Sequence, residues 1–213
     1  MWPNSDKTEE LLLKAQEGDS VAINNLLDRH RDSLHRLVQM RLDPQIQQRV
    51  DVSDIVQEVL IGANQRLQAY LEKPSLPFHL WLRHMAKDRL IDAHRKHRLS
   101  AKRSVNRECS LVVPKGNDAS TAELLNQISD QQIPPDETAT YRELAGHFEA
   151  AIATLEKQDE EIIIMRHFEE LSNQEVATAL NLTAPAASMR YLRAMKRLRK
   201  QLATLLDDRS QTT

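Results

Sequence analysis

Three observations predict an all-α protein: two small helical domains joined by a flexible linker, the C-terminal one a helix-turn-helix. Only four glycines occur in 213 residues, among long stretches of good helix formers. Apolar periodicity fails between residues 99 and 135, where Pro114, Gly116, Pro134 and Pro135 lie among polar residues. Residues 170–200 then read as a helix, a tight turn and a second, basic helix. The expected divisions are a domain over 1–99, a linker over 100–135, a second domain over 136–206 and a tail over 207–213.

In chain order, a short helix is predicted over residues 5–17, capped by Ser5 or Asp6, with Leu11, Leu12 and Ala15 apolar. Gly18 and Asp19 stop it and cap the next helix. That second helix runs to about Leu42, with Ala22, Leu26, Leu27, Leu34, Leu37 and Val38 inward, and Pro44 ends it. A third begins near 51–53 and reaches about Leu71; Ile55, Val59 and Ile61 are placed inward. Its start gathers Asp51, Asp54, Gln57 and Glu58. Acids favour helix N-termini through the macrodipole, which accounts for Asp51 and Asp54 better than for Glu58.

A fourth helix is predicted from Pro77 or Phe78 to about Arg98, with Leu82, Met85, Ala86, Leu90 and Ala93 inward. Trp81, Arg83, Lys87, Arg95, Lys96 and Arg98 give it an aromatic ring and cations. Such a set can stack single-stranded bases and follow their phosphates. A core position explains Trp81 equally well, because tryptophan is largely buried on average. In the linker one short helix is expected at 119–128. Beyond it, helices are predicted at 136–154 and 160–168.

Ser172 and Glu175 form the Ser-x-x-Glu capping pattern, in which hydroxyl and carboxylate each take an orphan backbone N–H. Val176, Ala177 and Leu180 follow on one face. Asn181 falls where a left-handed residue is needed, Thr183 caps the next helix, and Pro185 sits in its first turn. In the last helix Ala187, Tyr191, Ala194 and Leu198 form the inward stripe. Pro185, Ala186, Met189, Arg193 and Lys196 face outward, with Ser188, Arg190 and Arg197 on the flanks. Six basic residues and no acidic one lie between Arg190 and Lys200. A helix with small and basic residues outward fits the major groove of DNA. Base reading is expected of Pro185, Ala186, Ser188, Met189, Arg190 and Arg193, and phosphate contact of Lys196, Arg197 and Lys200. The plainer reading is an amphipathic helix with a solvated basic face.

The formal net charge is -2, so nucleic-acid binding cannot rest on overall charge. The charge is segregated instead: between Arg83 and Arg107 nine Lys or Arg stand against Asp88 and Asp92. Cys109 is the single cysteine, which excludes an intramolecular disulfide and points to a reducing compartment. No apolar run is long enough to span a bilayer, and MWPNSDKTEE has no secretory pattern, so a cytoplasmic location is expected. There is no glycine-rich phosphate loop and no nucleophile elbow. His94 and His97 share a helix face without further ligands at zinc-site spacing. No catalysis, cofactor or metal is expected.

These segments, in this order, resemble a bacterial RNA polymerase sigma factor of the extracytoplasmic-function class, which keeps two conserved domains, regions two and four, on a flexible linker. DVSDIVQEVL looks like the region-two segment that docks on the clamp helices of the polymerase beta-prime subunit. FHLWLRHMAKDRLIDAHRKHR looks like the helix that opens and holds the minus-ten element. LSNQEVATALNLTAPAASMRYLRAMKRLRK looks like the region-four helix-turn-helix for the minus-thirty-five element. The resemblance covers about residues 8–202. It implies core polymerase, through the beta-prime clamp helices and the beta flap, and promoter DNA as partners; an anti-sigma factor is a further partner that the sequence neither requires nor excludes. The chain departs from the pattern at Glu170 and Asn181, where the family often has glycine, and at Asp88, where it often has asparagine. Two other readings fit parts of the pattern: a helix-turn-helix regulator acting without polymerase, and a helical adaptor that binds no DNA.

Overall fold

The computed structural model describes residues 2–100, 148, 150–152 and 154–210. The chain divides into two compact units, Met1–Val112 and Val113–Thr213. The expected linker, its short helix and Cys109 lie outside the described residues, as does most of the helix expected at 136–154.

The first unit is a helical bundle: α1 (Ser5–Gln16), α2 (Ser20–Arg41), a single turn α3 (Pro44–Gln47), α4 (Val52–Glu72) and α5 (Phe78–Ser100). The cap of α1 is Asn4, not Ser5 or Asp6: its side chain accepts from the Asp6 N–H at 2.7 Å. Gly18 takes φ 85°, and the Gly18 and Asp19 N–H groups close the end of α1 on the Ala15 and Lys14 carbonyls. Asp19 then caps α2 through the N–H groups of Val21 (2.8 Å) and Ala22 (3.1 Å). Pro44, expected only to end α2, opens α3, as its fixed φ and missing N–H permit.

Every residue placed inward on α2 is buried, and Leu26, Leu34 and Val38 are fully so. Val59 and Ala63 of α4 and Leu82 and Ala86 of α5 meet them in one core. At Gly62 a Cβ would stand 3.2 Å from the Met85 Cε, so the missing side chain lets α4 and α5 approach closely. Ile61 is not inward. It is 58% exposed, because α4 buries the face of Ile55, Val59 and Ala63, from which Ile61 is turned away.

In the second unit Phe148, Ala151 and Ile152 are helical and fully buried. α6 (Lys157–Ile163) starts three residues before the predicted position and runs into a wider π turn, Ile164–Phe168. Glu170 follows at φ 54°, in the left-handed region where a Cβ is costly. This is the position where the family often has glycine. α7 (Asn173–Ala179) carries the full capping box: the Glu175 N–H donates to Ser172 Oγ (3.3 Å), and the Ser172 N–H donates to Glu175 Oε2 (2.7 Å). Asn181 is left-handed at φ 52°, as its position in the turn requires. Thr183 Oγ1 accepts from the Ala186 N–H at the start of α8 (Ala184–Ser210), which continues past residue 206, the expected end of the second domain.

Candidate functional site

On α4, Asp51, Asp54, Gln57 and Glu58 are all exposed. Asp51 has a local task as well. It is the N-cap, and its carboxylate accepts from the Ser53 N–H at 2.7 Å. Asp54, Gln57, Glu58 and Ile61 stand at helical spacing i, i+3, i+4 and i+7, which makes one strip of two acids and a glutamine ending in an exposed isoleucine. Sequence reasoning missed Ile61 as part of this surface, although its spacing from Asp54 and Glu58 was visible.

The residues named on α5 do not form one row. Arg83 is buried, with 5% of its surface exposed, so it belongs to the interior of the bundle and not to a nucleic-acid surface. The reason is that α5 packs against α2, α3 and α4 together, and its buried arc is therefore wide. Trp81 is half-buried and stacks on Tyr70, with centroids 4.6 Å apart and planes at 28°, and also meets Phe78 at 5.5 Å. Part of its ring surface is thus already covered. Lys87 is half-buried; Arg95 and Lys96 are exposed, and Arg95 pairs with Asp92 at 3.0 Å. The Arg98 side chain lies outside the described residues.

The helix-turn-helix does collect its predicted residues. Ala187, Ala194 and Leu198 are fully buried and Tyr191 is half-buried. On the opposite side Pro185, Ala186, Met189, Arg193, Lys196 and Lys200 are exposed, with Ser188 and Arg190 half-buried at the flanks. The Arg193 Nε–H donates to the Met189 carbonyl at 3.3 Å, which lays the guanidinium along the outward face.

Two sets of contacts orient this helix. The Arg166 guanidinium donates to the Leu171 carbonyl (2.8 Å) and stands 5.6 Å over the Tyr191 ring. His167 Nε2 shares a hydrogen bond with the Tyr191 hydroxyl at 2.8 Å. Burial, with the Arg166 charge beside it, pushes the His167 imidazole down to about 4, so it is neutral at pH 7. Lower on the helix, Arg197 donates to Asp159, whose side chain is only 8% exposed, and also approaches Glu156 at 3.5 Å. Arg197 therefore ties α8 to α6. Nothing local in the sequence marks these pairs, since Asp159 and Arg197 are 38 residues apart.

Among the described residues no group of three or more His, Cys, Asp or Glu side chains could hold a metal ion. No described helix is long and apolar enough to cross a membrane.

Comparison with known proteins gives the same order of parts. Residues 26–99 match the family described as Sigma-70 region 2, and residues 146–198 match Sigma-70, region 4. The chain is 23% identical over 208 residues to the ECF RNA polymerase sigma factor SigD of Mycobacterium tuberculosis, covering 97% of this chain and 89% of SigD. It is 24% identical to the ECF RNA polymerase sigma factor SigW of Bacillus subtilis, covering 90% and 95% of the two chains. Its fold is similar to that of CnrH, solved in complex with the cytosolic domain of CnrY, with a TM-score of 0.53, 20% identity and coverage of 96% and 99%. With a region-two bundle followed by a region-four helix-turn-helix, the chain belongs to the sigma-70 family as a sigma factor of the extracytoplasmic-function class, a transcription initiation factor that directs RNA polymerase to promoters.

Proposed function

We propose that the two exposed faces divide the work of initiation between polymerase and DNA. The observation that carries this reading is their opposite charge on separate units. Asp54, Gln57, Glu58 and Ile61 form an acidic strip on α4, and Arg193, Lys196 and Lys200 form a basic one on α8. The α4 strip, with Asp51 at its head, grips the beta-prime clamp helices. The α8 strip enters the major groove of the minus-thirty-five element: Pro185, Ala186, Ser188, Met189, Arg190 and Arg193 face bases, and Lys196 and Lys200 face phosphates. Lys87, Arg95 and Lys96 of α5, with the free edge of Trp81, hold the melted minus-ten strand. On this reading the working domains are 1–99 and 136–206, tethered by 100–135, one within each of the two compact units. The protein works in the cytoplasm, where its polymerase is, and the CnrH–CnrY complex supports an anti-sigma partner for it.

Run-off transcription with core polymerase on a genomic fragment library tests the whole. Discrete promoters should appear only when this protein is added. Tight, specific DNA binding without polymerase would favour a free-standing regulator instead.

The basic face also separates structural from DNA-binding cations. Lys200→Ala should weaken all promoters about equally and flatten the salt dependence of holoenzyme binding by roughly one charge. Arg197→Ala should act first on stability, because it leaves the shielded Asp159 carboxylate without its cation. Urea unfolding beside salt titration of both variants checks this. A normal unfolding midpoint and a flattened salt slope for Arg197→Ala would return that residue to the phosphate contacts.

For Trp81 the expected result of Trp81→Ala is a larger loss on linear than on pre-melted promoter templates, read by permanganate footprinting. Equal loss on both would make its stacking on Tyr70 its whole role.

A further inference from the structure

Among the described residues, large apolar side chains that stay exposed are few. Among the described residues six exceed half exposure, and two of them, Met189 (55%) and Leu192 (58%), lie three residues apart on α8. Isolated exposed apolar residues need no explanation, but this pair is not isolated. Met189 is at the centre of the outward face, opposite the buried stripe of Ala187, Ala194 and Leu198. Leu192 forms its shoulder, and Arg193 and Lys196 follow at i+4 and i+7 from Met189. The neighbours toward the helix N-terminus, Pro185 and Ala186, are short and exposed, so nothing stands between the Met189 thioether and a groove floor.

An apolar group flanked by cations, on a helix that lies in a major groove, meets one apolar feature there: the C5-methyl group of thymine. We propose that Met189, backed by Leu192, reads a thymine methyl in the upstream promoter element and is a specificity-determining residue of this sigma factor. The inference rests on the reading that α8 enters the major groove. It commits to DNA over an apolar protein partner because Arg193, Lys196 and Lys200 on the same face match a phosphate-lined surface. It also fixes a position. Met189 and Arg193 are one helical turn apart, roughly 6 Å at 1.5 Å per residue, and base pairs are spaced by about 3.4 Å. The thymine should therefore lie within about two base pairs of the position read by Arg193.

The test uses reconstituted holoenzyme on a promoter whose upstream thymines are replaced singly by deoxyuridine, which removes only the methyl group. With the wild-type protein one substitution should weaken promoter binding about three- to fivefold, the value of one buried methyl group. With Met189→Ala the thymine and deoxyuridine templates should bind equally, both near the wild-type value on deoxyuridine. Leu192→Ala should narrow the difference without abolishing it. Met189 is exposed, so its replacement leaves the fold intact, and melting of the variant confirms that. If no deoxyuridine changes wild-type binding, or if Met189→Ala preserves the thymine preference, the inference is overturned while the groove reading stands. Failure of the groove reading itself looks different: the upstream element is unprotected, and Lys196→Ala leaves the salt dependence unchanged.

Discussion

Reversing Asp54 and Glu58 together to lysine should weaken binding to core polymerase on the order of 100-fold, because like charges facing each other across an interface cost several kcal/mol. Both carboxylates are exposed, and neither is the cap of α4. The fold should therefore lose little, at most the roughly 0.3–1 kcal/mol that a first-turn acid such as Asp54 gains from the helix dipole. Asp51→Ala is the complementary control. Asp51 accepts from the Ser53 N–H, so its removal should cost about 1 kcal/mol of stability through the lost cap, with a smaller effect on polymerase. Ile61→Ala should add to the binding defect, since an apolar anchor at the end of a charged strip loses its buried contact area. Affinity for core polymerase is measured by competition with wild type, and stability by urea unfolding. If the double reversal lowered the unfolding midpoint and left affinity unchanged, the acids would be helix-end stabilisers and nothing more.

What could be read in the sequence was whatever depends on near neighbours in the chain. The Ser172–Glu175 box, the left-handed Asn181 and the Thr183 cap are each decided within four residues, and all three take the expected form. The inward stripe of α8 was equally legible, because a helix resting on one side of its domain keeps a simple period. Three kinds of feature were not. Asn4, Ser5 and Asp6 are all competent caps in succession, and backbone geometry, not residue type, selected Asn4. Arg83 and His30 carry polar labels yet lie inside, because α5 and α2 are surrounded by several helices and bury more than one stripe. The Arg197–Asp159 pair and the His167–Tyr191 hydrogen bond join residues far apart in sequence, and only the assembled unit brings them together. Of the two surfaces proposed to face DNA, the one on α8 was thus legible almost residue by residue. The row expected on α5 was not, since its membership turns on how widely that helix is buried.

The buried histidine of the first unit should make that unit acid-sensitive. His30 is 1% exposed, and its Nδ1 hydrogen-bonds to the Leu26 carbonyl at 2.9 Å. Its Nε2 finds no partner among the described residues. The ring stands edge-on to Phe78 at 5.1 Å, with Trp2 at 6.3 Å. Burial lowers its pKa from 6.5 to about 4, against the Leu26 hydrogen bond, and the neighbouring His79 and Arg29 push in the same direction as burial. Above about pH 6.5 the ring is neutral both folded and unfolded, and contributes no pH dependence. As pH falls below that value, the unfolded chain takes up a proton that the folded one refuses. Stability then falls by up to about 1.36 kcal/mol per pH unit until the folded value near 4 is reached, a total of about 3 kcal/mol. His30→Asn, whose amide nitrogen takes the place of Nδ1 and can still donate to the Leu26 carbonyl but does not titrate in this range, should be less stable at pH 7.5 because the edge-on ring contact is lost. Its stability should nevertheless fall less steeply than that of wild type between pH 6.5 and 4. Urea unfolding of both proteins across that range measures the difference of slopes, from which carboxylates common to both cancel. Parallel slopes would show that unfolding takes up no proton at His30, and that the imidazole titrates in the folded bundle as it does in the unfolded chain.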